Sequence, residues 1–330
     1  MTGRFLAGPY FCECSVDVRV EIDPKRLGFD GGDILKCEFI LLNSGHRGRF
    51  QQTKIKRCRI PSNKYVINLK QINARLKITF LGTGTSQGIP VIGSDDPVCL
   101  SENPRDKRLR VSVMITYDDG YNCVVDCGPD FRQQMLANQV TRLDSILFTH
   151  EHADHTAGMD DIRPFFFRQG DIPIYAHPRV IASLQRRFDY IFTDENRYPG
   201  APSVAVNTIE KGRAFRLGSH WVTPVEAWHN RLQVFGFRFG DFAYLTDVKS
   251  IEPEEAARLQ GVRVLAVNAL RLEPHHSHFN LEEALGFIES VGPERAYLTH
   301  ISHRMGFHAE VESRLPDRVH LAHDNLTLTL

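Results

Sequence analysis

The chain has 330 residues, 42% of them hydrophobic, enough to bury the core of one large domain or two ordinary ones. Its 40 Lys and Arg balance its 40 Asp and Glu, so no overall field selects nucleic acid or a membrane surface. No apolar run approaches the roughly 18 residues of a membrane helix. The opening MTGRFLAGPYFCECS lacks the apolar stretch of a secretory leader. The 7 cysteines include no paired CxxC spacing, so the expected setting is a reducing cytoplasm with free thiols.

The charge is unevenly spread. Residues 1–75 carry 14 Lys/Arg and 7 Asp/Glu, which leaves 26 and 33 for residues 76–330. The first part is irregularly patterned and holds no motif. It reads as a small β-rich module, with VDVRVEI and CEFILL as strands, or as a segment with no compact fold. No Met lies between Met1 and Met114. A third expectation is therefore that Leu76 is the true start, read from a non-ATG codon, with residues 1–75 a spurious upstream translation. Peptides from residues 1–75 in the natural protein would overturn that third expectation.

From Leu76 the character changes. LKITFLGTGTSQG is a strand followed by a Gly/Thr/Ser turn. Strands are expected at 77–82, 111–117, 121–126, 144–148 and 172–176, then at 220–228, 233–239, 242–246, 262–268, 295–299 and 318–322. Helices are expected at 129–138, 178–188, 253–259 and 280–290. Pro253 suits a first helical position, with Glu254 and Glu255 in the first turn. Asn280 is a good N-cap. Early strands form meanders and later ones alternate with helices, which suits an α/β architecture of sheets packed face to face with helices outside.

The stretch LFTHEHADHTAG, residues 147–158, concentrates titratable groups behind an apolar strand. His150 and His152 alternate, so an extended segment projects both to one side. Asp154 and His155 follow where the chain turns toward a helix. Two donor pairs can thus face two adjacent cations. Imidazole with carboxylate favours Zn²⁺, Mn²⁺ or Fe²⁺. Other strands offer lone donors at their ends: His229 in TPVEAWHN, Asp247 in FAYLTDVKS and His300 in RAYLTHISH. Each alone is an ordinary structural residue; the set carries the inference.

These residues resemble the metallo-β-lactamase fold superfamily, with its HxHxDH motif and downstream His, Asp and His, over residues 76–330. The resemblance implies a four-layered αβ/βα sandwich with two divalent metal ions. His150, His152 and His229 would hold one metal, Asp154, His155 and His300 the second, and Asp247 would bridge them. Two such cations, roughly 3.5–4 Å apart, can bridge a hydroxide and clamp a phosphoryl oxygen. In the phosphodiesterase branches a His before a helix takes the proton-donor place, so the resemblance implies that His278 in EPHHSHFNLEEAL is general acid or phosphate stabiliser, with His275 and His276 as rivals. FLGTGTSQGIP, GMDDIRPF and LTHISH resemble the cyclic-phosphate phosphodiesterases encoded with carbon–phosphorus lyase. The implied substrate is a small cyclic phosphodiester, and relatives often form homodimers.

Two other readings compete. A tRNA 3′-processing endonuclease usually carries a basic Gly/Pro-rich arm; residues 156–228 hold none and residues 76–330 are net acidic, which disfavours a polyanion. A thioester or lactone hydrolase would use the same metals without needing His278. A non-enzymatic binding role on the same fold is disfavoured because all seven ligand positions are present.

One departure concerns a structural zinc that the cyclic-phosphate group often holds through CxCxxC and a His three residues after the last ligand. Here the segment is GSDDPVC: Ser94 and Asp96 replace two cysteines, while Cys99 and His303 remain. That site is expected to be lost or weak, which leaves His303 to support a metal ligand or to contact substrate. Arg163 is read as touching a phosphate or pairing with Asp160 or Asp161. Asp126 is expected to brace the metal loop. Asp130 and Arg132 are expected at the surface, Phe165–Phe167 in the core, and KRLR at 107–110 on a solvated face.

Overall fold

A computed structural model describes residues 76–330 except 194 and 196 and, of residues 1–75, only the backbone of short strands. The chain forms two compact units, residues 1–70 and 71–330. In the first, Phe29–Asp30 (β1), Ile34–Cys37 (β2) and Cys58–Pro61 (β5) make an antiparallel sheet, and Ile40–Ser44 (β3) pairs with Phe50–Lys54 (β4). The VDVRVEI segment lies outside the described residues.

The second unit is built on two seven-stranded sheets. The first contains Lys77–Gly82 (β6), Ser112–Thr116 (β7), Asn122–Val125 (β8), Ser145–Leu147 (β9), Ile172–Ala176 (β10) and Val204–Thr208 (β11). β6, β7 and β8 are an antiparallel meander, and β8 to β11 run parallel. The second contains Phe215–Leu217 (β12), His220–His229 (β13), Leu232–Phe239 (β14), Phe242–Leu245 (β15), Val264–Asn268 (β16), Arg295–Thr299 (β17) and Val319–Leu321 (β18). It too begins antiparallel and becomes parallel from β15 onward. The last strand, Thr327–Thr329 (β19), returns to the first sheet and pairs with β6.

Burial explains the composition of these strands. The parallel strands β9 and β16 are covered on both faces, so SIL and VLAVN are buried throughout. Between the sheets lies an aromatic core that includes Phe80, Phe235, Phe237, Tyr244 and Tyr297. Phe131–Ala137 (α2), Arg163–Gln169 (α4) and Pro178–Arg187 (α5) cover the first sheet. Pro253–Ala256 (α7), Leu281–Val291 (α8) and His308–Glu312 (α9) belong to the second sheet's outer side. Pro97–Leu100 (α1), Ala153–Thr156 (α3) and Asp189–Phe192 (α6) are single turns. The layers are therefore helix, sheet, sheet, helix.

Local signals set the helix ends. Asn280 and Glu283 form a capping box at the start of α8, and Gly292, with φ of 68°, closes it in the left-handed region. Three expectations need correction. KRLR is not a solvated face: Arg108 is buried, and its guanidinium bonds Thr83 Oγ1 at 2.7 Å, the Ala322 carbonyl at 2.6 Å and His308 Nδ1 at 3.1 Å. Of the three phenylalanines only Phe165 is core, and Phe167 is exposed. Asp130 is bonded to Arg110, at 3.0 Å from its Nη1.

Candidate metal centre

The parallel ends of both sheets lie where loops must turn, and the predicted donors sit there. β9 ends at Leu147; Phe148 still bonds the Tyr175 carbonyl at 2.9 Å, and the chain then leaves the sheet through Thr149 and His150. α3 begins directly after His152, which places Asp154 and His155 in one helical turn. β13 ends on His229, β15 precedes Asp247, and β17 precedes His300. A hydrogen bond of 3.0 Å from Phe235 N–H to the Thr149 carbonyl ties β14 to the segment after β9.

The backbone is strained at this edge. Asp126 (φ 67°), Asp247 (φ 60°) and His300 (φ 54°) all adopt the left-handed region. Each such residue costs about 1–3 kcal/mol and persists only where the surroundings over-determine it, as functional sites do. The surroundings here are specific. The Asn268 side chain accepts from Val248 N–H at 2.7 Å and donates to the Val248 carbonyl at 3.0 Å, locking the turn after Asp247. Cys127 N–H donates to the His155 carbonyl at 2.8 Å, and Gly158 N–H to the Cys127 carbonyl at 2.9 Å. A Cβ on Gly128 would stand 2.1 Å from the Asp154 carbonyl oxygen, so only glycine lets the two strands of backbone approach this closely.

All seven residues predicted as ligands converge. The His150 ring lies 4.5 Å from that of His152, 4.2 Å from His155 and 5.8 Å from His229, centroid to centroid. His155 Nε2 stands 3.2 Å from Asp154 Oδ2 and 3.3 Å from Asp247 Oδ2. His300 Nε2 is 3.2 Å from Asp247 Oδ1. Among the described residues, three groups hold donor atoms within 4.8 Å of one another: His150, His155 and Asp247; Asp154, His155 and His300; His229, Asp247 and His278. The second matches one predicted ligand set. Asp247 belongs to two of the three groups. His152 completes none of them, although its ring is 5.3 Å from that of His229.

Outer contacts turn the reactive nitrogens inward. His155 Nδ1 is 2.7 Å from Asp126 Oδ2. Asp126 in turn accepts from Thr149 N–H at 2.9 Å, and Thr149 Oγ1 lies 3.0 Å from His150 Nδ1. His229 Nδ1 is 2.7 Å from the Ser277 carbonyl, which can only accept. Such bonds fix tautomer and ring orientation in metal-ligating histidines. They leave His150 Nε2, His155 Nε2 and both nitrogens of His300 buried without a hydrogen bond. Buried polar atoms of this kind are costly without a partner, and on each ring the nitrogen that lacks a proton can be met by a cation. Charge balance gives the same answer. Burial pulls the His155 pKa down, yet Asp247, Asp154 and Asp126 more than offset it and hold it well above its ordinary value. Burial alone would raise the Asp247 carboxyl, but His300 and His155 hold it well below the usual carboxylate range. The donor set fits divalent cations.

The remaining candidates are distributed unequally. His278 joins the cluster: its Nε2 is 3.0 Å from Asp247 Oδ1, its ring is 4.4 Å from His229 and 4.8 Å from His300, and burial lowers its pKa to about 4. Arg163 pairs with Asp160 and donates to Tyr198 Oη at 2.9 Å, contacts outside the cluster. His303 sits in a turn at His303–Met305 that packs on α1, its Nδ1 buried without a hydrogen bond. Thr149 was missed by sequence reasoning; its place directly before the motif was the available signal. The clamp on Glu151, made by Arg179 and Arg187 of α5, had none.

The family described as the β-lactamase superfamily domain matches residues 121–301, more than half of the chain. The chain belongs to that superfamily, and it has the metallo-β-lactamase fold. Within it, the chain shares 38% identity with a crystal structure described as a new diphosphatase from the PhnP family, covering 78% of this chain and 97% of that one at a TM-score of 0.72; it is a PhnP-family member. A curated octanoyltransferase of Porphyromonas gingivalis is 37% identical over 252 residues, 76% of this chain and 51% of that protein. The chain thus spans about half the length of that relative. Zn²⁺-bound PqqB from Methylobacterium extorquens is 21% identical with a TM-score of 0.64, covering 77% of this chain and 100% of that one, a likeness of fold. Among the described residues no helix is long and apolar enough to cross a membrane.

Proposed function

We propose that this metal-dependent hydrolase is a dinuclear phosphodiesterase acting on small diesters, cyclic phosphates foremost. One observation carries the reading. Asp247 stands in two ligand groups and also meets His278 Nε2 at 3.0 Å, so a single carboxylate links the ligand cluster to a buried imidazole. His150, His152 and His229 would hold one cation, Asp154, His155 and His300 the other, with Asp247 between. Bound there, the two cations would supply Lewis acidity and a water made nucleophilic near neutral pH.

The chain's own residues do the rest. Asp126 and Thr149 orient His155 and His150, and the Ser277 carbonyl orients His229. His278 holds a proton at Nε2 for the leaving oxygen. An alkoxide leaving group needs that proton, whereas a phosphate leaving group needs it little. The placement of His278 therefore favours a diester. A diphosphate is the second reading, supported by the diphosphatase relative. Acyl transfer has less support: Cys123 and Cys127 are buried in the core, and burial raises the Cys123 thiol to about 12 and the Cys127 thiol well above its ordinary value.

Hydrolysis of a panel by Zn²⁺- or Mn²⁺-loaded protein tests the reading, with Asp247→Ala as control. The panel contains ribosyl cyclic phosphate, 2′,3′-cyclic nucleotides, a chromogenic diester, nucleoside diphosphates and a thioester. Diester turnover lost in the variant is the expected result. Turnover of diphosphates alone selects the second reading, and turnover of the thioester alone overturns both.

A further inference from the structure

The three imidazoles assigned to the first cation come from different sheets. His150 and His152 follow the end of β9, and His229 ends β13. Their ring centroids are 4.5 Å apart for His150 and His152, 5.8 Å for His150 and His229, and 5.3 Å for His152 and His229. Among the described residues their donor atoms do not form a group within 4.8 Å, whereas those of Asp154, His155 and His300 do. The first set therefore depends more on whatever fixes the separation of the two sheets at this edge.

One side chain spans that gap. Arg179 Nη1 pairs with the carboxylate of Glu151, the residue between His150 and His152. Its Nη2 donates to the Gln233 carbonyl at 2.6 Å. Gln233 pairs with Trp228 in the β13–β14 ladder, and Trp228 directly precedes His229. The fork of one guanidinium thus grips the chain beside all three imidazoles. The root of Arg179 is fixed as well. His177 caps α5, its Nδ1 accepts from Arg179 N–H at 3.2 Å, and its ring lies 5.8 Å from that of Phe235 in β14. A cation in the first turn of a helix is opposed by the helix dipole. Helix stability does not account for an arginine here; the two contacts of its fork do.

We propose that Arg179 is a positioning residue for the first cation: it sets the distance between the His150–His152 pair and His229. The inference rests on the assignment of those three histidines to one cation. Arg179 acts through the Glu151 carboxylate and the Gln233 carbonyl. The sign of its effect separates positioning from plain electrostatics. Removing a positive charge near a cation site should tighten metal binding on Coulomb's law alone, whereas loss of positioning weakens it. Arg179→Lys keeps the charge but loses the fork, so it too should weaken binding.

Zn²⁺ competition with a chromogenic chelator on the full chain tests this. The proteins are the parent, Arg179→Ala, Arg179→Lys, Arg186→Ala, and His229→Ala with and without Arg179→Ala. One of the parent's two dissociation constants should rise about tenfold in Arg179→Ala, the low end for loss of an orienting partner, while the other stays within about twofold. Arg186 is exposed on the same helix, and Arg186→Ala should change neither constant. In His229→Ala the first set is already broken, so adding Arg179→Ala should alter the remaining constant less than about twofold. Tighter binding in Arg179→Ala, no change, or equal weakening of both constants overturns the proposal. Denaturation of the metal-free protein shows whether Arg179→Ala folds; if it does not, Arg179→Lys decides by the same criteria. If the parent binds a single cation, the two-cation reading falls. The proposal then stands if His229→Ala and Arg179→Ala each weaken that cation, and falls if either leaves it unchanged.

Discussion

Asp126 Oδ2 and His155 Nδ1 lie 2.7 Å apart, and neither side chain is exposed to solvent. The carboxylate comes from the end of β8 and the imidazole from α3, so the contact couples two neighbouring strand ends. It also commits His155 Nε2 to the opposite direction, toward Asp154 and Asp247.

Asp126→Asn replaces an obligate acceptor with a group that also donates. Metal affinity should fall about 10- to 100-fold, the usual effect of removing such a partner. Competition with a chromogenic chelator measures it. An affinity within about twofold of the parent would show that Thr149 and the backbone suffice to orient the ring.

Gly128→Ala should damage the centre without touching a ligand side chain. The new Cβ would stand 2.1 Å from the Asp154 carbonyl oxygen, which is backbone and must shift. A loss of about 2 kcal/mol is expected, in the range of overpacking, together with lower metal occupancy. Gly286→Ala is the matched control. Its Cβ would meet nothing within 4 Å in α8, so stability should rise by about 0.5–1 kcal/mol. Denaturant midpoints and metal content read both.

The metal motif and most strands of the second unit were legible because burial leaves a plain trace. Expected strands at 77–82, 172–176 and 295–299 match β6, β10 and β17. The short or outward-facing strands β11, β12 and β19 were not legible. VAVNT of β11 is largely exposed, and TLT of β19 buries only Leu328, so neither carries an apolar pattern. α4 was hidden in RPFFFRQ, whose three phenylalanines suggest core but whose periodicity buries one. The donors could be read because each follows an apolar run. The clamps on them, Thr149, Asn268 and Ser277, could not, since a hydroxyl, an amide and a carbonyl are unremarkable in sequence.

A third metal per chain should be absent. Asp96 accepts from Val98 N–H at 2.9 Å as the N-cap of α1, Ser94 Oγ accepts from Asp96 N–H at 3.2 Å, and Cys99 Sγ accepts from Val91 N–H at 3.4 Å. The segment is organised as a hydrogen-bonded cap. Metal analysis of the parent should find two ions, and Cys99→Ser should leave that count unchanged. Three ions in the parent would overturn this.

Asp324 should impose a pH dependence on stability. Burial, ahead of every other influence, raises its carboxyl from 3.8 to about 6, against bonds from Leu109 N–H at 2.6 Å and Thr83 Oγ1 at 2.8 Å. The folded pKa exceeds the unfolded one, so the folded state retains a proton that the unfolded state releases. The stability this supplies is full below about pH 4 and is lost as pH rises through about 6, on the order of 3 kcal/mol. Denaturation of chelator-treated parent and Asp324→Asn at pH 4.5 and 7 isolates it. Equal changes in both proteins would remove Asp324 as the cause.

The return of β19 to β6 has a consequence in time. Leu76 N–H bonds the Leu330 carbonyl at 3.2 Å, and Leu330 N–H bonds the Leu76 carbonyl at 2.9 Å. The first strand of the second unit therefore waits for the last before its outer edge is paired. On the ribosome, β6 emerges more than two hundred residues ahead of its partner, with an open row of amides and carbonyls. The unit is sealed only once Thr327–Thr329 has been made, and a chain cut short before Thr327 keeps that edge available to a neighbour.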